Sequence, residues 1–288
     1  MEVLITFVNG LSLGGIYAMI ALGYTMVYGI AKMLNFAHGD IIMVGGYTIL
    51  VFLTFNPILA ILASIIFCMI MGVVIEKVAY KPLRGASPLA VLITAIGVSY
   101  FLQSIAQIIF GSAPKFVVIA DLGTKKIGDL AIGYSTIITL VCSLVIMVAL
   151  NLFVKFSKTG RAMIAVSEDK GAAQLMGINV NNIIMITFTI GSALAALASV
   201  FFLLKAPTIN PTFGSLPGIK AFTAAVIGGI GSIPGAMVGG ILLGIVECFA
   251  QSVPEISPYT DAIEFSILII LLLVKPTGLL GKKRREKV

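Results

Sequence analysis

Residues 157–182 read SKTGRAMIAVSEDKGAAQLMGINVNN, a polar stretch between two long apolar runs. Leu130–Val154 before it has 25 residues without Asp, Glu, Lys or Arg, and Gly171–Leu204, which overlaps its end, has 34. A run of about 20 apolar residues is long enough to cross a bilayer as a helix. A polar segment between two such crossings lies in water. Its Ala-Ala-x3-Gly pattern at 172–177 predicts a short helix that ends at a glycine, a shape suited to docking into a groove of another protein.

The composition of the whole chain is that of a membrane protein. Of its 288 residues 59% are hydrophobic and 11% charged, and the mean hydropathy is +1.12. A soluble domain carries about 25% charged residues, so lipid must be the solvent for much of this surface. The apolar runs are too long and too uniform for the alternating strands of a membrane barrel. The sequence therefore predicts an all-α, polytopic bundle of transmembrane helices, a single domain over residues 1–288.

The apolar runs predict about eight spans, and nine is as defensible. Four of the segments are short for a bilayer and are predicted to be half-helices or re-entrant pieces if they do not cross: the second, seventh, eighth and last. The predicted spans are 4–30, 40–55, 57–76, 88–110, 133–155, 182–204, 217–231, 236–252 and 262–275.

The distribution of basic residues predicts the orientation. If the 157–182 loop is cytoplasmic and the spans alternate, 14 of the 19 Lys and Arg residues lie inside, as basic residues generally do. The basic tail at 281–288 is then cytoplasmic and attracted to anionic lipid headgroups. The net charge of +7 is scattered over the ends of the apolar runs without interleaved aromatic residues, so nucleic acid is not a predicted partner. The five remaining basic residues are Lys115, Lys125, Lys126, Lys205 and Lys220.

Catalytic constellations are missing from the sequence. The chain has one His, and its acidic, His and Cys residues show no metal-ligand spacing. The string GLLGKK at 278–283 lacks the spacing and the hydroxyl of a phosphate-binding loop. We therefore expect no enzyme, no metal and no cofactor on this chain, and ATP, if it is used, on another subunit.

Polar residues and glycines within the apolar runs are the candidates for a translocation path. The string LNFAHGD at 34–40 predicts either a gate or proton relay, or ordinary helix capping. Glu247 and Glu264 are functional candidates because ionisable groups are costly in a membrane; Glu247 could instead pair with Lys220 or Lys205. The string GGIGSIPG at 228–235 predicts a tight turn between helices, or an interrupted helix near the path. The candidate path residues are Asn35, His38, Gly45, Gly46, Gly228, Gly229 and Glu247.

Three strings together carry a family resemblance that extends over about residues 5–280. They are SKTGRAMIAVSEDKGAAQLMGIN, NFAHGD and KAFTAAVIGGIGSIPGAMVGG. The chain resembles the membrane permeases of branched-chain amino acid ABC transporters. The resemblance implies a prokaryotic inner-membrane importer subunit, driven by two ATP-binding cassette subunits and supplied by a periplasmic or lipid-anchored binding protein. It also implies a related second permease as the partner in a heterodimer.

The resemblance also implies a coupling helix within residues 161–178 that inserts into a cleft of the ATPase subunit. Arg161 lies at its start, Glu168 and Asp169 open the helix, Ala172 and Ala173 form its packing face, and Gly177 ends it. Many ABC importers have Glu-Ala-Ala at this point, whereas here Gly171 stands in place of the Glu.

Two other functions stay open at the level of sequence. Importers of urea and short amides belong to the same wider family, so the same machine could carry those solutes. An autonomous ion-coupled carrier would instead use Glu247 or Glu264 as its coupling carboxylate.

Overall fold

The structure, a computed structural model, describes residues 2–120, 122–127 and 130–281. The basic tail predicted at 281–288 lies outside the described residues apart from its first member. Eleven α-helices run through the described part of the chain: α1 Glu2–Ala31, α2 His38–Phe52, α3 Pro57–Ile75, α4 Pro88–Phe110, α5 Tyr134–Phe156, α6 Lys158–Glu168, α7 Lys170–Leu175, α8 Val180–Lys205, α9 Ser215–Gly228, α10 Ile233–Ser252 and α11 Thr260–Val274.

The helices confirm the prediction of a transmembrane bundle and change its count of spans. Among the described residues, seven helical segments are long and apolar enough to cross a membrane; they contain α1, α3, α4, α5, α8, α10 and α11. The helices α2 and α9 are apolar but have only 15 and 14 residues. At 1.5 Å per residue they are about 21–23 Å long, less than the hydrocarbon thickness of about 30 Å. Both belong to the four segments that the sequence identified as short, whereas the other two, the eighth and the last, lie in candidate spans of 20 and 18 residues.

Helix starts follow local capping chemistry. Asn56 precedes α3 and accepts a hydrogen bond from the amide of Ile58 at 2.8 Å, and Pro57 occupies the first helical position. Ser87 and Pro88 begin α4 in the same way. A side-chain acceptor before the helix satisfies a free amide, and proline loses nothing at a position whose amide has no helical partner. Beyond Ile75, α3 continues through a π-helical turn, Glu76–Tyr80, and a 3₁₀ turn, Lys81–Leu83.

Helix α1 is the centre of the bundle and packs against α5, α8, α9 and α10. The broad exposed apolar faces of α3, α4, α5 and α11 are surfaces for lipid or for another subunit. Two short antiparallel pairs join the loops at one end: β1 (Lys115–Phe116) with β4 (Thr208–Ile209), and β2 (Thr124–Ile127) with β3 (Leu130–Gly133). The sequence did not predict these strands.

The two short helices begin inside the bundle. The Nε2 atom of His38, at the start of α2, lies beside Gly23 of α1, about 12 Å before the end of that helix at Ala31. The first turn of α9 meets the first turn of α2, because the backbones of Gly39 and Gly214 approach so closely that a Cβ on either would overlap the other. The first turn of α2 is buried by the rest of the protein, so its free backbone amides do not face lipid, whereas Leu216 and Ile219 near the start of α9 are exposed.

Candidate functional site

The polar stretch 157–182 folds into a two-helix elbow made of α6 and α7. Ser157 begins α6 by accepting a hydrogen bond from the Gly160 amide at 2.8 Å, and Asp169 begins α7 by accepting one from the Ala172 amide at 3.0 Å. Glu168 is the last residue of α6. The expectation that Glu168 opens the coupling helix is therefore wrong: a single acidic residue, Asp169, opens it, and its extended backbone separates the two helices.

Gly177 ends the short helix as the sequence predicted. It has φ of +81°, in the left-handed region that favours glycine. The amide of Ile178 bonds back to the carbonyl of Ala173 at 3.0 Å, which closes the last turn.

The two alanines of the elbow lie on different faces of α7. Ala173 is 3% exposed and belongs to the apolar core of its own chain, whereas Ala172 is exposed. The most prominent outward apolar side chains are Leu175, 91% exposed, and Met176, 82% exposed. The outward surface of α7 is therefore made by Leu175 and Met176 beside Ala172, while Ala173 holds the helix to the bundle. Arg161, on α6, is exposed.

Lys170 connects the elbow to the central helix. Its Nζ donates a hydrogen bond to the carbonyl of Ala31, the last residue of α1, at 3.0 Å. Burial and the nearby positive charge of Arg84 lower the pKa of Lys170. Arg84 itself is paired with Glu76 and bonded to Asn181 at the start of α8. The elbow therefore contacts the end of α1 through a charged hydrogen bond, while Arg84 joins the start of α8 to the segment that follows α3.

We expect Lys170→Met to loosen α7 without unfolding the bundle. The variant loses one hydrogen bond from a charged group to a helix C-terminal carbonyl, worth about 1–2 kcal/mol. Amide hydrogen exchange of peptides covering 170–178 should become about five- to thirtyfold faster, and exchange in α1 should change little. Lys158→Met is the matched control, because Lys158 is exposed in the first turn of α6. Equal exchange in the two variants would contradict the role of Lys170.

A buried ion cluster lies at the other end of the bundle, where α9, α10 and α11 meet. The ammonium of Lys220 lies 2.9 Å from Glu247 Oε1, 2.8 Å from Asp261 Oδ1 and 3.3 Å from Glu264 Oε2. Gln251 donates a further hydrogen bond to Glu247 Oε1 at 3.1 Å. Asp261 is half exposed, whereas Glu264 is fully buried. Of the two partners that the sequence offered for Glu247, the structure selects Lys220.

Comparison with known proteins agrees with this architecture. The family model described as "Branched-chain amino acid transport system / permease component" matches residues 6–273. The chain belongs to this family. It is 46% identical to the high-affinity branched-chain amino acid transport system permease protein BraD of Pseudomonas aeruginosa, over 98% of this chain and 96% of that protein. It is 41% identical to LivH of Escherichia coli K12, a permease protein of the same description, over 97% and 96%.

The branched-chain amino acid permease family therefore includes a chain with this elbow, this ion cluster and two short internal helices. A solved chain of PsaBC from Streptococcus pneumoniae in complex with Fab aligns at a TM-score of 0.46 and 17% identity, over 96% of this chain and 91% of that chain. That likeness is too low to support an argument.

In this permease the candidate path residues at 34–40 are buried in the protein. Asn35 accepts a hydrogen bond from the hydroxyl of Tyr80 at 2.8 Å. The ring of His38 meets that of Tyr24 edge to face, with centroids 4.8 Å apart, and its Nε2 has no hydrogen-bond partner among the described residues. Neither residue caps a helix by its side chain: α2 begins after Ala37 without a side-chain bond.

The remaining path candidates lie in separate contacts between helices and do not form one site. Gly45 faces Ala196 of α8, Gly46 faces Ile209, and Gly228 lies against Gly235. Gly229 ends α9 with φ of +109°, and GGIGSIPG forms a tight turn before α10. These glycines make packing contacts between helices, and Glu247 is ion-paired with Lys220. The role of the seven residues in a translocation path stays a prediction.

Sequence reasoning missed one polar group that the permease places beside a cavity. Gln103 of α4 donates hydrogen bonds through Nε2 to Asp40 Oδ1 at 2.8 Å and to the hydroxyls of Ser99 and Ser215 at 3.2 Å each. A neutral amide in an apolar run does not stand out by charge. The signal that could have found it is the recurrence of polar residues at 99, 100, 103, 104 and 107, which is helical spacing.

Proposed function

We propose that this chain is a membrane-spanning permease subunit of an ATP-driven ABC importer for branched-chain amino acids. Membership of the permease family supports the transport role, and the names of BraD and LivH support the solute class. On this proposal ATP binds to and is hydrolysed by separate ATP-binding cassette subunits. A related second permease completes the membrane unit, and a periplasmic or lipid-anchored protein delivers the solute.

The observation that best supports coupling of this chain to the ATPase subunits is the exposed apolar end of α7. Two almost fully exposed side chains, Leu175 and Met176, end a short helix that is tied through Lys170 to the central helix α1. Apolar side chains presented on a polar loop favour burial in a partner. A movement of that partner would reach α1 through the Lys170 contact and α8 through the short connection after Leu175. The elbow and the C-terminal tail would be cytoplasmic, in line with the distribution of basic residues.

We expect Leu175→Glu combined with Met176→Glu to release the ATPase subunits while the membrane bundle stays folded. Two carboxylates in an apolar interface cost several kcal/mol when desolvated, so co-purification of the ATPase subunits should fall at least about tenfold. ATP-dependent leucine uptake into proteoliposomes that contain the whole assembly should disappear.

The matched control carries the same two-glutamate change at Val253 and Ile256, which are exposed apolar residues at the opposite end of the bundle. It should retain ATPase subunits at the wild-type level. The proposal would be wrong if the α7 variant also retained them, or if the isolated chain alone accumulated leucine. Ala173→Glu is a poorer test, because Ala173 is buried in its own chain and the variant would disturb the fold.

A further inference from the structure

A polar cavity opens beside α4 at the end of the bundle opposite to the elbow. Its volume is about 310 Å³, and its lining includes Tyr100, Gln103, Ser104 and Gln107 of α4 together with Asn210 and Thr212 of the loop before α9. The α4 residues recur every three or four positions, so they form one stripe along the helix. Tyr100 lies about 15 Å and Gln107 about 4.5 Å from the end of α4, so the stripe runs from that end of the helix toward its middle.

A polar stripe at this depth is costly against lipid. The side chains of Tyr100, Ser104 and Gln107 are exposed on the chain, and a polar group in hydrocarbon without a hydrogen bond costs several kcal/mol. The stripe therefore faces either water or polar groups of another subunit. The loop residues Asn210 and Thr212 also line the cavity and are polar, so the polar lining extends from α4 to the loop before α9.

The floor of the cavity is organised around a buried carboxylate. Asp40 lies in the first turn of α2 and Ser215 in the first turn of α9, and Gln103 bridges the two. The partial positive charges of the two helix N-termini offset the charge of Asp40. A carboxylate only accepts hydrogen bonds, so its contact fixes which side of the Gln103 amide carries nitrogen.

The oriented amide leaves an acceptor free. With Nε2 directed to Asp40 and its two N–H groups shared among Asp40, Ser99 and Ser215, the Oε1 atom of Gln103 accepts no hydrogen bond from the described residues. Nor is Oε1 one of the buried side-chain polar atoms that lack a hydrogen-bond partner, so this free acceptor is not enclosed by the protein. A free carbonyl oxygen at a cavity wall fits a donor group, and an ammonium is the strongest donor that a zwitterionic solute carries.

We propose that the α4 stripe and the 210–212 loop line a water-filled path for the solute, and that Gln103, held by Asp40, accepts a hydrogen bond from the solute's ammonium group. Gln103 is then a solute-binding residue and Asp40 a positioning residue. The ammonium role rests on the proposed import of amino acids, whereas the water-filled path holds for any small polar solute.

Water access is tested by cysteine labelling of the chain in its complete assembly. Cys68, Cys142 and Cys248 are first replaced by alanine, and Ser104→Cys is then treated with a charged, membrane-impermeant methanethiosulfonate reagent. Phe101→Cys is the control, because Phe101 is an exposed residue at similar depth that does not line the cavity. We expect rapid labelling at 104 and little at 101. No labelling at either position, the result for lipid or for a dry subunit contact, would overturn the path, and equal labelling at both would as well.

The ammonium contact is tested by Gln103→Leu in the same assembly. We expect ATP-driven leucine uptake to fall about tenfold or more, as for a lost hydrogen bond to a charged group, while ATPase subunits stay bound and Ser104→Cys is still labelled. Asn151→Leu, the same change at an exposed amide on α5, should transport normally. Wild-type uptake by the Gln103 variant would overturn the contact. Absence of ATP-driven leucine uptake by the unsubstituted assembly would instead refute the proposed function, while the labelling would still decide the path.

Discussion

Replacement of Lys220 by methionine is expected to destabilise the bundle by about 3–5 kcal/mol, the usual cost of removing one partner from a buried ion pair. The lysine is the only cation within 4.0 Å of Glu247, Asp261 and Glu264 among the described residues. Its loss leaves two buried carboxylates, on α10 and α11, without a counter-charge. Repulsion between them acts on the contacts of α9, α10 and α11.

The loss of stability is measurable by heating the purified chain in detergent with a thiol-reactive dye, because its three cysteines are free and Cys68 is buried. The control is Lys205→Met, which removes a partly buried lysine at the end of α8 that has no ion pair within 4.0 Å in the part of the chain that the structure describes. The midpoint of dye reaction should fall by several degrees or more for Lys220→Met and change little for Lys205→Met.

A second substitution separates pairing from packing. If unpaired charge causes the loss, Glu264→Gln in the Lys220→Met background should recover part of the stability, because one buried carboxylate is removed. The same change in the wild-type background should be destabilising. Equal midpoints for the Lys220 and Lys205 variants, or additive losses in the double variant, would contradict the role of the cluster.

Much of the fold could be predicted from the distribution of charges along the chain. Charge-free runs mark the membrane helices, and the caps at Asn56 and Ser87 with the following prolines mark their starts. The ambiguity of the second and seventh segments was physical: α2 and α9 are short helices that begin inside the protein. Hydropathy reports how apolar a segment is but does not report where in the membrane it begins.

The sites were less predictable because their parts come from distant segments. The sequence placed Lys220 and Glu247 as possible partners, but the contributions of Asp261 and Glu264 depend on how α11 packs. The elbow was predicted from its alanines and glycine, yet only the structure shows that Ala173 faces inward and that Leu175 and Met176 face outward. The link between Gln103 on α4 and Asp40 on α2 depends on how the two helices pack, which the sequence of neither helix reports.

The stability of the bundle should also depend on the contact between α1 and α10, where even one added methyl group is expected to be destabilising. Gly10 and Gly14 on α1 face Gly240 and Gly244 on α10, with three residues between the members of each pair. This small-xxx-small spacing lets two membrane helices approach at backbone distance. A Cβ on Gly14 would lie 2.6 Å from the Cα and 2.8 Å from the carbonyl oxygen of Ile241. Both are backbone atoms, so neither can move away as a side chain can.

We therefore expect Gly14→Ala to destabilise the chain by about 1–3 kcal/mol through overpacking, and Gly14→Val to cost more. Gly97→Ala provides the control on another membrane helix, since a Cβ there meets nothing within 4 Å. Alanine in a helix interior is favoured over glycine by about 0.5–1 kcal/mol, so Gly97→Ala should be neutral or stabilising. The two variants should thus shift the thermal midpoint in opposite directions. Because the central helix α1 also receives the elbow through Lys170 and Ala31, the Gly14 variant should lose uptake along with stability. A Gly14→Ala chain as stable as the Gly97→Ala chain would mean that α1 and α10 can separate at little cost.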